Sequence, residues 1–424
     1  MRRYRRQRRD EVRVRKLLQR ALGVALAVIT GVREEDDGAT IVVGVRPRAK
    51  DAGRCPLCHR QCGRYDGGDG LRRWRTHDVG TTRAFIEAEA PRIECPEHGV
   101  LVAEVSWARP GSRFTIEFEQ TAAWLAVRTD KTAVSEFLRV TWRAVGSIVE
   151  RVCAAEQAKC PPLEGVTRIG IDEVAYRKGH RYLTCVVDHD SGRLLWASSG
   201  RDAANLRKFF RLLGKKGCAA IRLVSADAAT WIAKVVREEC PNAKLCMDPF
   251  HVVAWMTKAI DKVRRKLWNE LRGAGETEQA KATKNTRWVL LKNPEDLNRK
   301  QRKKLRDLER ENQPLYRVYL LKEQLREVFR VKGPVGALLL GVWLDWAEHS
   351  GLEPMARVAK SIRGNLDGIL NSLFEGLSNA RVESANTKLR LLTRMAFGFH
   401  SPGPLIALAH LKLGGLCPPL PHQN

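Results

Sequence analysis

Short apolar runs alternate with amphipathic stretches between residues 165 and 255, and this pattern predicts a mixed α/β domain. The second and third apolar runs are separated by HDSG, which is typical of a hairpin turn. The predicted elements follow the order β-β-β-α-β-α-β, at 167–172, 181–188, 193–198, 203–213, 221–227, 230–239 and 244–248. The order predicts a sheet in which three antiparallel strands lead into parallel ones.

This order is that of the ribonuclease-H-like fold, in which the first and fourth strands are neighbours in the sheet. Asp172 ends the first predicted strand and Asp227 ends the fourth, so we expect both carboxylates at the same end of the sheet. Glu383 lies in a predicted helix. The three acidic residues are 55 and then 156 residues apart, so only the tertiary fold can bring them together.

Carboxylates from different elements can hold two Mg²⁺ or Mn²⁺ ions, which activate a water or a 3′-hydroxyl for phosphoryl transfer. Mg²⁺ prefers hard oxygen ligands, and carboxylates supply them. A single aspartate at the end of a strand is more often a turn residue, and Asp188 precedes an obvious turn. Other acidic residues compete for the metal-binding role, namely Glu173, Asp188, Asp190 and Asp248.

Apolar residues recur at helical spacing from about 115 to 155 and predict a series of short helices, for which Thr132 and Thr141 are candidate N-caps. The last of these helices starts with Thr-Trp-Arg. The pattern is typical of a helix-turn-helix whose final helix enters the major groove, with Arg143 as a DNA contact. An ordinary helical hairpin is the alternative. Cys160-Pro161-Pro162 marks a domain boundary after this region.

Two C-x₂-C/H clips predict a structural zinc site. Cys55 and Cys58 form the first clip, and Cys95 and His98 form the second, so that four ligands leave no open position. Cys62 and His59 are rival ligands, and free thiols in a loop are the alternative to a metal site. The apolar positions between the clips suit the strands of a zinc ribbon, and they are Trp74, Val79, Phe85 and Ile86.

The charge of the chain points to a polyanionic partner. Among 424 residues, 75 Lys+Arg outnumber 48 Asp+Glu, and the formal net charge is +27. Residues 1–20 hold ten of the basic residues and form either a phosphate-neutralising arm or a solvated tail. No apolar run of about 18 residues exists, which favours nucleic acid over membrane. The absence of a signal-peptide pattern and the cysteines scattered in apolar runs predict a cytoplasmic location.

A long, charged helical segment is predicted between Phe250 and Glu383, and it is more than the α/β domain needs. We therefore interpret it as an inserted helical domain. Its rows of Lys and Arg are either solvated helix faces or contacts to a phosphate backbone. Trp288, Trp343 and Trp346 are interpreted as core residues of this insertion rather than as platforms for base stacking.

Several sequence blocks resemble the ISL3 family of bacterial insertion-sequence transposases, which are DDE transposases. The matching blocks cover nearly the whole chain, and they are CPLC with CPEHG, IGIDEVAYRKGHRYLTCVVD, VSADAATWIAKVVREECPNAKLCMDPFHVV and SNARVESANTKLRLLTRMAFGFHSP. The resemblance implies a ribonuclease-H-like core whose DDE triad falls on Asp172, Asp227 and Glu383. This chain has R-V-E-S at 381–384, where the family more commonly has forms such as R-V-E-G, and the triad is intact.

The resemblance also bears on the residues around the triad. Asp248-Pro-Phe-His251 resembles the (C/D)-x₂-H element that follows the second Asp in related transposases, which favours Asp227 over Asp248 as the metal ligand. Asp248 and His251 are expected to support the site or to contact DNA, although Asp-Pro is also ordinary chemistry for the start of a helix. The basic residues near the third acid are further expected DNA contacts, namely Arg381, Lys388 and Arg390.

We therefore predict a cytoplasmic, nucleoid-associated bacterial DNA transposase that binds terminal inverted repeats and target DNA as a homodimer or larger assembly. The alternatives are a zinc-containing DNA-binding regulator derived from a transposase and a ribonuclease-H-like nuclease without strand transfer. The predicted domains are a basic arm with a first strand at 38–46 (1–50), a zinc ribbon (51–110) and a helix-turn-helix (111–160). They continue with the first part of the α/β core (165–255), a helical insertion (256–375) and a closing helix with the C-terminal tail (376–424).

Overall fold

The computed structural model describes residues 15–24, 26–159, 163–227 and 229–423. The chain divides into two compact units, one formed by Met1–Pro161 with Leu392–Asn424 and the other by Pro162–Leu391. The predicted closing segment, 376–424, is therefore divided at Leu392. Most of the predicted basic arm lies outside the described residues. Within the described ranges, no helix is long and apolar enough to cross a membrane.

The first unit contains a four-stranded sheet of order β1-β2-β5-β4, which follows a short helical segment at residues 15–21 and in which only β2 and β5 pair in parallel. Its core includes Trp74 and Trp107, whose rings meet edge to face at 5.6 Å. The predicted strand at 38–46 is confirmed as β2, whereas β1 was not predicted. The strands described in this unit are β1 (Ala27–Glu35), β2 (Thr40–Pro47), β3 (Gly63–Asp66), β4 (Leu71–Arg75), β5 (Arg83–Glu89), β6 (Arg92–Cys95) and β7 (Gly99–Val102).

A separate three-stranded sheet, of order β3-β6-β7, carries the cysteine clips. The assignment of the intervening apolar residues to this ribbon was wrong. Trp74 lies on β4, and Phe85 and Ile86 lie on β5, so all three belong to the four-stranded sheet. Val79 is 46% exposed and lies outside the named strands. Alternating apolar positions predict a strand, but they do not say which sheet it joins.

Three helices follow and pack on one another, namely α1 (Ile116–Ala126), α2 (Lys131–Leu138) and α3 (Trp142–Lys159). Thr141 caps α3 as predicted, because its hydroxyl accepts a hydrogen bond from the Ala144 N–H at 3.2 Å. The predicted cap Thr132 is wrong. Asp130 caps α2 instead, and its carboxylate accepts from the N–H of Thr132 at 2.9 Å. The turn between α2 and α3 begins at Arg139, which is left-handed with φ 53°.

The second unit begins with the predicted β-β-β-α-β-α-β order, which is confirmed. Its mixed five-stranded sheet has the order β10-β9-β8-β11-β12, in which β8, β11 and β12 are mutually parallel and β9 is antiparallel to both of its neighbours, β8 and β10. The elements are β8 (Arg168–Arg177), β9 (Arg181–Asp188), β10 (Leu194–Ser199), α4 (Ala203–Ala220), β11 (Leu223–Ala226), α5 (Thr230–Glu239) and β12 (Lys244–Met247). Because β8 continues to Arg177, Asp172 lies within the strand and not at its end as predicted.

A run of helices fills the rest of the second unit around a core of its own. Trp343 is fully buried and donates its indole N–H to the Leu321 carbonyl at 2.7 Å, and Trp346 packs against the same core. Trp288 is 62% exposed, so its assignment to the core was wrong. These helices are α6 (Pro249–Gly273), α7 (Thr277–Lys284), α8 (Arg287–Leu291), α9 (Arg299–Glu311), α10 (Gln313–Val331), α11 (Gly333–Glu348), α12 (Glu353–Arg363) and α13 (Leu366–Glu375).

Two further helices complete the described chain. Helix α14 (Ala380–Met395) carries Glu383 and runs through the division at Leu392. Helix α15 (Pro402–Leu413) belongs to the first unit and packs on α3. Because α14 carries Glu383, its position decides whether this residue lies near Asp172 and Asp227. Because α15 packs on α3, it supports the helix-turn-helix region.

Candidate active site and metal centre

The two cysteine clips come together as predicted. One ligand atom from each of Cys55, Cys58, Cys95 and His98 lies within 4.8 Å of the other three. The Cys58 and Cys95 Sγ atoms are 3.7 Å apart, and His98 Nδ1 lies 3.5 Å from Cys95 Sγ. Zn–S bonds of about 2.3 Å give a tetrahedron with edges of about 3.7 Å, so these separations fit a zinc ion.

The electrostatics of the group also favour metal binding. Burial opposes the Cys95 thiolate, but the backbone N–H groups of Glu97 and His98 stabilise it and lower its pKa to about 7. The rival ligands have other partners. His59 is exposed and its Nδ1 lies 2.9 Å from a Glu104 carboxylate oxygen, and the Cys62 thiol lies outside the four-residue group and points to the Arg60 carbonyl at 3.3 Å.

The start of α3 is an exposed surface supported by buried contacts. Arg143 is exposed in the first turn of this helix. Beside it, the buried ammonium of Lys131 lies 4.2 Å from the centre of the Trp142 ring and 5.2 Å from that of Phe399. A cation held over two aromatic faces fixes α2 against α3. Arg143, which the sequence predicts as a DNA contact, is exposed next to Trp142 in this turn, and its role stays a prediction.

The register of the central strands brings Asp172 and Asp227 together. Strands β8 and β11 are parallel, and their last pair is Ile171 with Ala226. Asp172 follows Ile171 within β8, and Asp227 directly follows Ala226, the last residue of β11. Two carboxylates that follow the same rung of a parallel ladder are neighbours, and the negative charge of Asp227 raises the pKa of Asp172.

Asp172 is held in place by two hydrogen bonds. Its Oδ2 accepts from the Asn386 amide at 2.6 Å, and its Oδ1 accepts from the Glu173 N–H at 2.7 Å. Burial raises the pKa of Asp172 to about 6, and the charge of Asp227 acts in the same direction. The Arg390 guanidinium and His251 oppose this shift. The hydrogen bonds therefore fix the orientation of this carboxylate, while burial and the charge of Asp227 destabilise its charged form. Both effects are expected where a cation is to bind.

Asp227 presents an unsatisfied oxygen. Its Oδ1 is buried and has no hydrogen-bond partner among the described residues, and its Oδ2 lies 3.7 Å from His251 Nε2. A buried acceptor without a donor fits a cation ligand, because nothing else here compensates its desolvation.

Asp248 is buried and caps α6 by accepting from the Phe250 N–H at 3.2 Å, so it has the helix-start role that the sequence left open.

Glu383 is not drawn into a compact ligand group. Its side chain is exposed, and the Cys/His centre is the only cluster of at least three metal-ligand side chains found in the described chain. Its backbone position is nevertheless close to the pair. Asn386 lies one turn further along α14 and contacts Asp172 directly, and residues three apart on a helix share a face.

A buried polar chain anchors the first turn of α14 to the sheet, and the sequence did not single out its members. His189 Nε2 lies 2.6 Å from the Ser225 hydroxyl, and that hydroxyl donates to the Asn379 side chain. All three residues are buried, and burial lowers the pKa of His189 to about 4. The only signal was a serine within an apolar strand pattern, because His189 belongs to the HDSG turn.

The competing acidic residues have other partners. Glu173 pairs with Arg201, and burial raises its pKa to about 7. Asp188 accepts from the N–H groups of the turn that follows it, at 3.0 and 3.1 Å, which confirms it as a turn residue. Asp190 pairs with Arg168 at 2.8 Å. The register also sets Asp248 beside Asp227, because Met247 pairs with Ala226, but the Asp248 carboxylate caps α6. Asp172 and Asp227 therefore remain as the candidate metal ligands.

The basic residues predicted around Glu383 are all exposed on α14. Arg381 donates to the Asp190 carbonyl at 2.7 Å and so ties α14 to the β9–β10 turn. Arg390 acts on Asp172 through its charge. Lys388 has an exposed side chain in the same helix. Of these three residues, Arg390 is the one whose charge acts on the acidic pair.

Comparison with family models places three matches along the chain. Residues 51–98 match a zinc-finger model of the transposases IS204, IS1001, IS1096 and IS1165, and residues 103–153 match the helix-turn-helix domain of the ISL3 transposase family. Residues 169–408 match the DDE transposase model of the ISL3 family. The last match contains both aspartates of the register pair and Glu383.

Full-length relatives agree with the family models. The chain is 48% identical over 413 residues to the transposase for insertion sequence element IS1557 of Mycobacterium tuberculosis, covering 92% of this chain and 93% of the relative. It is 29% identical over 368 residues to the transposase for insertion sequence element IS1001 of Bordetella parapertussis, covering 86% of this chain and 89% of the relative. The similarity therefore extends through both units.

Proposed function

The chain belongs to the ISL3 family of transposases and is a DNA transposase, and from this premise we propose that Asp172, Asp227 and Glu383 are its catalytic acids. The observation that carries the proposal is the parallel register that makes Asp172 and Asp227 neighbours. The exposed Glu383 is the third acid because α14 is anchored to the sheet beside them.

We infer that the α/β domain is ribonuclease-H-like and that its acidic pair holds divalent cations, Mg²⁺ or Mn²⁺. The strand order supports the fold, and the partnerless Asp227 oxygen supports a cation. When bound, two such ions supply Lewis acidity for phosphoryl transfer. Asn386 and the Glu173 N–H orient Asp172, and His251 lies against Asp227. Arg390 and Lys388 offer positive charge for the phosphate backbone near the cleaved bond.

The first unit recognises DNA in this proposal, and its specific ligand is the terminal inverted repeat of the element. The helix-turn-helix presents α3 to the major groove, with Arg143 at its exposed start. Structural zinc held by the four clip residues keeps the small β3-β6-β7 sheet folded. The product of cleavage is a free 3′-hydroxyl that attacks target DNA.

The direct test is cleavage of labelled transposon ends with Mg²⁺ or Mn²⁺. We expect Asp172→Ala, Asp227→Ala and Glu383→Ala to lose cleavage while still binding the ends. The matched control is Asp190→Ala, because this acid belongs to the same domain but pairs with Arg168 at the start of β8, the opposite end from Asp172 and Asp227. Cleavage by Asp172→Ala or Glu383→Ala at the rate of the wild type would overturn the assignment.

A strand-transfer assay separates the proposed reaction from simple nuclease action. Pre-cleaved ends with a free 3′-hydroxyl should join to a target plasmid in the presence of the wild-type protein and not with Asp227→Ala. Joining without the protein's acids, or cleavage without any joining, would contradict a transposase mechanism. No observation on the described residues favours a regulator or a nuclease that lacks strand transfer.

A further inference from the structure

The first two strands of the α/β sheet extend beyond the other strands as a two-stranded ribbon. Among the described residues, β8 pairs with β11 only as far as Ile171, and β9 pairs with β10 only as far as Leu183. Beyond these positions β8 and β9 pair with each other alone. We call residues 175–182 the β8–β9 arm. It begins three residues after Asp172, so it projects from the end of the sheet that carries the acidic pair.

The tip of the arm carries four basic side chains and no acidic one. All four are exposed, and they are Arg177, Lys178, His180 and Arg181. Arg177 and Arg181 lie directly opposite each other in the register, and like charges at opposite positions destabilise an antiparallel pair. Within the part of the chain that the structure describes, Arg177, Lys178 and Arg181 have no ion-pair or hydrogen-bond partner for their side chains. The tip therefore holds uncompensated positive charge that an anionic ligand would neutralise.

Contacts at the base of the arm fix its direction. A two-stranded ribbon is only marginally stable by itself, so these contacts matter. Arg201, which lies between β10 and α4, pairs with the Glu173 carboxylate on β8 and holds its guanidinium 5.2 Å from the centre of the Tyr182 ring on β9. The Tyr182 carbonyl also accepts a hydrogen bond from the Gly200 N–H at 3.0 Å. Both strands of the arm are thus tied to the rest of the α/β domain, which fixes the position of the basic tip.

The position of the arm identifies its ligand as DNA. In the proposed function the scissile phosphate lies at Asp172 and Asp227, whose carboxylates repel phosphate oxygens, whereas guanidinium groups bind them. From Asp172 to Arg177 the strand rises by about 17 Å. This length equals about five phosphate steps along one strand of B-DNA. DNA that extends from the acids in the direction of β8 therefore reaches the tip of the arm.

We propose that the β8–β9 arm binds the phosphate backbone beside the cleaved bond and so holds the scissile phosphate at the acids. The inference deepens the proposed function and rests on it. Contacts to phosphates position DNA but do not read its sequence, so the arm acts on any DNA that crosses the active site. Recognition of the element end belongs to the first unit in the proposed function. Loss of the arm contact should therefore slow cleavage more than it weakens end binding.

The double variant Arg177→Ala/Arg181→Ala of the full-length protein tests the contact. Single-turnover cleavage of labelled ends at saturating protein should slow about tenfold or more, because the scissile phosphate is no longer held in place. With a fragment that spans the cleaved bond, the logarithm of the DNA-binding constant should fall less steeply with the logarithm of the salt concentration. The slope should decrease by about 1.8, the share of two phosphate contacts. Arg177→Lys/Arg181→Lys keeps both charges and should keep the slope of the wild type.

Two controls separate the contact from misfolding and from loss of net charge. The alanine double variant should resist urea at least as well as the wild type, because it removes the repulsion between the two guanidinium groups. Lys215→Ala/Lys216→Ala removes the same charge from the same unit. These lysines are exposed near the end of α4 that leads into β11, which is the opposite end of the sheet from Asp227. This variant should cleave at the rate of the wild type.

Photo-cross-linking maps the contact on the DNA. With a benzophenone amino acid in place of Lys178, cross-links to end DNA should centre about five nucleotides from the cleaved bond, by the length of the arm. They should be absent beyond one helical turn, about ten nucleotides. The same replacement at Lys215 should give no cross-link in this window. Equal cleavage by the two alanine double variants, or no cross-link from position 178 in the window, would overturn the arm contact and leave the proposed function standing. If the cross-link forms but the wild type never cuts, the proposed function fails and the arm contact stands.

Discussion

Gly170 is the residue on which the placement of α14 depends most directly. A Cβ at this position would lie 2.2 Å from Val382 Cγ2 and 2.9 Å from His189 Nε2. Only a residue without a side chain lets β8 accept the helix so closely, and Val382 precedes Glu383. The glycine of IGIDE is thus explained by packing at a distance of more than 200 residues, which no local pattern in the sequence reveals.

Gly170→Ala should therefore displace α14 and reduce DNA cleavage. Overpacking of this kind costs about 1–3 kcal/mol of unfolding free energy. Single-end DNA binding should persist, because it belongs to the other unit. Gly31→Ala is the matched control, since this strand glycine has nothing within 4 Å of an added Cβ. Cleavage assays and urea unfolding check the result, and unchanged cleavage by Gly170→Ala would refute the close-packing argument.

His410 gives the protein a pH-dependent stability. Burial lowers its pKa from 6.5 to about 4, so the folded state binds its proton less readily than the unfolded state does. The stabilisation is complete above pH 6.5 and is lost as the pH falls toward 4, by about 3 kcal/mol. His410→Phe should remove this part of the pH dependence. Urea unfolding between pH 7 and pH 4 measures it, and an identical slope in the variant would contradict the prediction.

At the scale of elements, the sequence predicted correctly those features that the periodicity of apolar residues determines. The strands and helices of the α/β domain were predicted in type and order because their apolar spacing is local. Pairing between strands is not local, and this is why the strands of Trp74 and Ile86 were placed in the wrong sheet. The end of β8 was misplaced for a related reason, since Glu173 and Arg177 continue a strand beyond its apolar run.

The β3-β6-β7 sheet has so small a core that we expect it to depend on metal. Its buried apolar cluster consists of Ile93 with Cys55 and Cys95, and structural zinc contributes on the order of 10 kcal/mol in comparable small domains. Cys95→Ser should reduce bound zinc well below one ion per chain and expose this sheet to proteolysis. Cys62→Ser should retain zinc, because its thiol lies outside the ligand group. Metal analysis measures the zinc content of the two variants, and limited proteolysis measures how exposed the β3-β6-β7 sheet is in each of them.

At the scale of the whole molecule, the proposed function assigns recognition of DNA to the first unit and the chemistry to the second. The helix-turn-helix and the zinc centre lie in the first unit, and the acidic pair lies in the second. The sequence predicted that the clip residues come together and that Asp172 and Asp227 lie at the same end of the sheet, because the clips have a distinctive spacing and the strand order is set by local patterns. It did not predict Asn386, Ser225 and Asn379 as partners of the site, because polar residues in apolar or helical runs become meaningful only when the fold buries them together.

This division predicts that binding and cleavage can be lost separately. Arg143→Ala should weaken binding to the end DNA. It should also reduce the steepness with which the logarithm of the DNA-binding constant falls with the logarithm of the salt concentration by about 0.9, the share of one phosphate contact. Asp227→Asn should leave that dependence unchanged and abolish cleavage. It should also lower the pKa of Asp172, because the charge of Asp227 raises it in the wild type.

The two variants are measured in one titration series, with end binding by fluorescence anisotropy at several salt concentrations and cleavage at saturating protein. Lys303→Ala, which removes a charge from the exposed face of α9, is the control for loss of net positive charge alone. If Lys303→Ala changed the salt dependence as much as Arg143→Ala, binding would reflect the overall charge of +27 and not a contact at the start of α3. A change confined to Arg143→Ala would instead place the phosphate contact on the helix-turn-helix, with the acids of the second unit left to act on the DNA that it positions.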